Sequence, residues 1–129
     1  MKYLKFLLTC VFFVSLFYAS GQSAHELIQG IENVDIPVIE TYLQDKVEFS
    51  IQEDQQILTK NIASKKFKAF LEEHKPISVE IIHEGNSKDK STQYKVAKLV
   101  SAEGTFRIFI YSTGEIKRNS VKEIRIDEF

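Results

Sequence analysis

Residues 105–112 read Thr-Phe-Arg-Ile-Phe-Ile-Tyr-Ser, and this run decides the fold class. Alternation along a strand puts Phe106, Ile108 and Ile110 on one side and Phe109 and Tyr111, flanked by Arg107, on the other. A strand in a two-layer protein should be polar on its outer face, so aromatic residues on that face ask for a cover. A second subunit laid over Arg107, Phe109 and Tyr111 is one such cover. The N-terminal helix or the tail ending in Phe129 is another, and the helices could instead take the Phe109 side and leave Phe106, Ile108 and Ile110 outward.

Working outward, similar strand patterns occupy about Ile77 to Glu84, Gln93 to Ala102 and Val121 to Glu128. They are joined by turns at Gly85-Asn86-Ser87, Ala102-Glu103-Gly104 and Thr113-Gly114. Upstream, Thr59 caps a helix from about Lys60 to His74, whose Ile62, Ala63, Phe67, Phe70 and Leu71 share one face and which Pro76 ends. Val47, Phe49 and Ile51 alternate with Glu48, Ser50 and Gln52 as a half-buried strand, between a turn at Asp45-Lys46 and the polar run Glu53 to Gln56. Before it, Ser23 and Glu26 read as a capping box opening a helix through Leu27, Ile28, Ile31 and Val34. Gly30 weakens that helix by about 1 kcal/mol relative to Ala, so it must lean on tertiary packing. Asp35 caps a second short helix with Pro37 in its first turn. Helices followed by a run of hairpins give an α+β protein, with the N-terminal helices packed on one face of a mostly antiparallel sheet.

The first 21 residues do not belong to that domain. Lys2 and Lys5 precede an apolar run from Phe6 to Ala19, and the small residues Ala19, Ser20 and Gly21 follow. A charged region, an apolar stretch of this length and small residues at the cleavage site make a secretory signal, short of the ~20 residues that span a bilayer. Cleavage after Gly21 leaves Gln22–Phe129 as one domain, exported to the periplasm or secreted, with no stable membrane anchor. Cys10, the chain's single cysteine, lies within the apolar run and not at its end, which argues against lipidation and leaves a mature chain without thiols.

Loss of Lys2 and Lys5 from the 17 basic residues leaves 15 against 18 acidic ones, close to −3 and mixed along the chain. No basic face for nucleic acid is expected. His25, His74 and His83 are the three histidines, and no two have ligand spacing on one helix, so no metal or other cofactor is expected. His83 shares the parity of Ile77, Val79 and Ile81 and therefore points to the apolar side of its strand. Tyr94 and Lys98 share the parity of Val96 and Val100, and with Tyr42 they are the other polar groups within reach of a cavity. The candidate pocket residues are Tyr42, Phe67, Phe70, His83, Tyr94 and Lys98.

Leu58-Thr59-Lys60 leading into Phe67, Phe70 and Leu71; Gly85-Asn86-Ser87 followed by Gln93-Tyr94; Gly104 to Phe109; and Ile124-Arg125-Ile126 together resemble a family of small exported bacterial proteins of unknown function. That family shares the cone-shaped fold of nuclear transport factor two and the cystatin-like superfamily, and the resemblance covers nearly all of residues 22–129. It implies a curved sheet wrapped around the long helix, a pocket between sheet and helices, and homodimerisation through the sheet. It implies no active site. Ketosteroid isomerases and scytalone dehydratases of the wider superfamily place acids, histidines or tyrosines inside the cone, but fold alone does not transfer chemistry. The expectation is a non-catalytic protein that binds a small apolar ligand or a protein partner. The alternative is a small isomerase, dehydratase or hydrolase using His83 with a tyrosine.

Overall fold

The computed structural model describes residues 22–129. The expected export signal at residues 1–21 lies outside the described residues, and so does the expected cleavage site after Gly21. The elements are α1 (Gln22–Glu32), α2 (Ile36–Tyr42), β1 (Leu43–Ile51), β2 (Asp54–Thr59), α3 (Lys60–Glu73), β3 (Pro76–Asn86), β4 (Thr92–Ser101), β5 (Gly104–Thr113) and β6 (Val121–Glu128). The six strands form one open sheet in the order β2-β1-β6-β5-β4-β3, with β1 and β6 parallel and every other pair antiparallel. This is the expected α+β arrangement of helices on a mostly antiparallel sheet.

One face of the sheet carries the core. Phe106, Ile108 and Ile110 of β5, Leu99 of β4, Ile124 and Ile126 of β6, and Val47 and Phe49 of β1 are buried there. Against them pack Leu27, Ile28 and Ile31 of α1, Ile39 and Tyr42 of α2, and Ala63, Phe67, Phe70 and Leu71 of α3. Full burial of each such aliphatic or aromatic side chain contributes about 1.5–3 kcal/mol, which is what holds helices of modest intrinsic stability in place. Phe67 meets Phe49 edge to face at 6.0 Å, tying α3 to β1.

Gly30 now has a reason. A Cβ there would stand 3.0 Å from Cγ1 of Val38, so the absent side chain is what lets α2 pack closely on α1. Between them the chain reverses with Val34 at φ 54°, where the Asp35 amide donates to the Gly30 carbonyl at 2.7 Å and the Val34 amide to that of Ile31 at 3.2 Å. Those bonds close the end of α1 in the Schellman manner.

Four local readings need correction. Ser23 is inside α1 and does not cap it, and Glu26 instead accepts a hydrogen bond from the Tyr42 hydroxyl at 3.0 Å. Asp45 and Lys46 lie within β1, because that strand already begins at Leu43. Residues 54–59 form a strand, so a hairpin precedes the long helix; β2 has almost no buried side chain and gives no apolar alternation to read. Ile62 is 42% exposed, and Ser64 takes its place on the buried face of α3, its single hydroxyl proton shared between the Asn61 carbonyl at 2.9 Å and the Glu40 carboxylate at 3.2 Å. The caps at Asp35 and Thr59 stand where expected, although only Asp35 uses its side chain, accepting from the Val38 amide at 3.5 Å.

Candidate functional site: the outer sheet face and two hollows

The pairing register places a layer of side chains on the sheet face away from the helices. Tyr94 stands opposite Tyr111, Val96 opposite Phe109, and Lys98 opposite Arg107; across the next strand Phe109 faces Arg125, Tyr111 faces Glu123 and Arg107 faces Asp127. Phe109 and Tyr111 are half-buried, and the Arg125 side chain lies across both rings. Its guanidinium carbon is 4.6 Å from the Phe109 ring centre and 5.9 Å from that of Tyr111, and its Nη2 donates to the Tyr111 hydroxyl at 3.0 Å. Stacking of this kind is worth about 0.5–1 kcal/mol at an exposed site. The Arg125 Nε–H is buried without an acceptor, since the nearest Asp127 carboxylate oxygen, at 3.9 Å, is beyond hydrogen-bond reach. The C-terminal Phe129 ring sits 5.0 Å below the Lys98 ammonium and 5.1 Å from the Arg107 guanidinium, while remaining 58% exposed. Part of the cover expected over this face is therefore intramolecular, supplied by Arg125 and the tail.

Glu123 adds an acidic element. It faces Glu48 on β1, and burial first, then repulsion from that carboxylate, raises its pKa above the usual carboxylate range.

His83 does not point to the core side. Between Ile81 and His83 the ladder slips by one residue: Ile81 pairs with Ala97 but His83 pairs with Val96. This bulge inserts Ile82 and turns every later side chain of β3 over. His83 thus emerges on the outer face, exposed, with Nε2 3.0 Å from the Tyr94 hydroxyl. The Tyr94 ring can lie across β3 because the residue opposite it is Gly85, where a Cβ would come within 2.7 Å of that ring. Gly85 and Asn86 are strand residues, and the turn follows them: Asp89 accepts from the Ser87 hydroxyl and from the Ser91 amide and hydroxyl, which draws its carboxyl down to about 2.

The six candidate pocket residues consequently do not converge. Tyr42, Phe67 and Phe70 belong to the core side, while His83, Tyr94 and Lys98 lie on the outer face; the last three do share a surface with Arg107, Phe109 and Tyr111. Arg125 and Phe129 complete that surface; the tail ending in Phe129 is one of the covers expected from sequence, whereas Arg125 is not, although it falls on the non-core parity of Val121–Glu128. Among the described residues no group of three metal-binding side chains occurs, and no helix is long and apolar enough to cross a membrane.

Two hollows open on the helix side. One, of about 490 Å³, lies between α1 and strands β3 and β4 and is lined by Ile28, Glu32, Val79, Ile81 and Lys95 among others, with Lys95 ion-paired to Glu84. The other, of about 380 Å³, lies between the C-terminal half of α3 and the ends of β1, β5 and β6, over Phe70, His74 and Phe106. His83 lines neither.

An open six-stranded sheet with three helices on one face defines an α+β protein of the nuclear transport factor two-like class. A protein of that class from Cytophaga hutchinsonii superposes with a TM-score of 0.60 at 15% identity, covering 84% of this chain and 93% of its own. Residues 24–127 match the domain of unknown function DUF4783, and the chain belongs to that family. Crystal structures of DUF4783 family proteins from Bacteroides uniformis and Bacteroides ovatus superpose with TM-scores of 0.72 each, at 25% and 20% identity. Both alignments cover 81% of this chain, and 95% and 93% of the respective relatives. No curated protein matches the sequence.

Proposed function

We propose that this is a non-catalytic, exported envelope protein that acts by binding through the outer face of its sheet, in the first instance to a second copy of itself. One observation carries the reading: Tyr94, Phe109, Tyr111, Arg107 and Arg125 form a continuous aromatic and arginine-bearing surface around the buried Val96, with no helix of the described residues over it. Aromatic residues and arginine are the types enriched at the centres of interfaces. Export rests on Lys2, Lys5 and the apolar run that follows them. The enzyme alternative has His83 and Tyr94 in hydrogen-bond contact, but outside either hollow, and Glu84 beside them is ion-paired to Lys95.

Sedimentation of the mature protein beside a Phe109→Lys, Tyr111→Lys variant tests this. The native chain is expected to sediment as a dimer and the variant as a folded monomer. A native monomer at high micromolar concentration would overturn the reading. Intact mass of the exported protein should correspond to a chain beginning at Gln22, and recovery of the full-length chain from membranes would refute the export.

A further inference from the structure

Beyond that reading, we propose that the hollow beneath the C-terminal half of α3 is a binding site for a small organic cation, an ammonium group carried on an apolar or aromatic body. Its floor is apolar. Phe70 and Phe106 meet edge to face at 5.1 Å, and His74 stacks on Phe70 at 4.6 Å and stands edge-on to Phe106 at 4.7 Å, so three rings converge at one point with Ile51, Ala69 and Ile126 around them. At about 380 Å³ it falls in the range of small-molecule sites, which combine an apolar lining with a few convergent polar groups.

The polar groups fix the charge of the ligand. Glu73, Glu103 and Glu128 come from three different elements to the rim, and among the described residues none of them is in an ion pair. The single cation of the lining, Lys66, donates to the Gln56 side chain at 2.6 Å. The hollow also lies at the C-terminal end of α3, whose last turn contains no basic residue, so the negative end of the helix dipole adds to the carboxylates. His74 Nδ1 lies 3.2 Å from the Phe70 carbonyl, which can only accept, so Nδ1 donates to it. Aromatic rings and carboxylates both attract an ammonium group, and the carboxylates repel another carboxylate.

Titration of the protein with phenethylamine, phenethyl alcohol and phenylacetate at low salt, followed by amide NMR shifts, tests the proposal because the three probes share a ring and differ in charge. Phenethylamine should move the amides of Ala69, His74, Glu103 and Phe106 and bind most tightly of the three, with phenylacetate weakest. A Glu103→Gln, Glu128→Gln variant, altered only at the exposed rim, should weaken phenethylamine about two- to tenfold, as expected for losing two exposed ion pairs, and leave phenethyl alcohol unchanged. Equal affinity for the three probes, phenethylamine shifts confined to other surfaces, or the absence of binding at millimolar concentration would each overturn it. None of these outcomes depends on whether the outer face dimerises.

Discussion

Along β5, Phe106, Ile108 and Ile110 are shut away by helices, while Phe109 and Tyr111, interleaved with them on the same strand, are covered by one arginine from β6. Both sets are apolar enough to require burial, yet they receive different partners. The inner set meets rigid helical surface and packs to near-zero exposure. The outer set meets a long side chain that can move, and it keeps an unsatisfied Nε–H in doing so. The contrast separates residues that build the fold from residues available for binding.

The inner side should break hardest. Phe67 is fully buried between α3 and β1, and truncating a buried Phe to Ala costs about 3–5 kcal/mol against a total stability of roughly 5–15. Phe67→Ala is expected to be barely folded at 37 °C. Denaturant titration showing a loss below about 1 kcal/mol would remove α3 from the centre of the core.

The outer side should yield more gently, and Gly85 shows how. Its φ lies outside the left-handed region, so Ala fits the backbone, but the new Cβ drives the Tyr94 ring off β3 and breaks the contact with His83. Loss of that hydrogen bond, about 0.5–1.5 kcal/mol, opposes the 0.4–1 kcal/mol gained by stiffening the unfolded chain. Gly85→Ala should therefore change stability by less than about 1 kcal/mol while shifting the His83 ring resonances. In a Tyr94→Ala background the same substitution should become stabilising, and a double-mutant cycle measures the difference. An unchanged His83 spectrum would show that the ring accommodates the methyl group in place.

Whether an element could be read from sequence follows from how strongly burial marks it. α3, β4, β5 and β6 were legible because one face of each is closed and the other differs from it. β2 was not, since an edge strand with Ile57 71% exposed after Gln55 and Gln56 has no buried parity. The two apolar faces of β5 were visible, but not which one the helices would take, because alternation records burial without naming the partner. His83 failed for a different reason. The parity read from sequence holds at Val79 and Ile81 but not at Ile77, which falls at an earlier shift of the ladder and is 65% exposed, and the bulge that reverses it before His83 is a property of the β3–β4 ladder, with no glycine or proline at Ile82 to announce it. The hollow beneath α3 was hidden too, since Glu73, Glu103 and Glu128 come together only once three separate chain ends are packed.

The smallest effect tests the electrostatics of the outer face. Glu123 is half-buried beside Glu48, and its pKa is raised by burial and then by that neighbour. A carboxylate whose folded pKa lies above its unfolded value binds protons more tightly in the native state. Its ionisation therefore destabilises the fold, with the penalty absent below 4.5, growing as pH rises through the folded pKa, and complete at neutral pH. Glu123→Gln removes it. Because the group is partly solvated and flanked by Lys122 and Arg125, which pull its pKa the other way, the gain at pH 7 should be only a few tenths of a kcal/mol. It should shrink toward zero near pH 4, where Glu123 is protonated in both states. Glu48→Gln should recover only part of the gain, since burial is the larger cause and remains. If Glu123→Gln instead lowers stability at pH 7, the carboxylate is favourably paired with Arg125, and the outer face holds a satisfied ion network in place of a surface awaiting a partner.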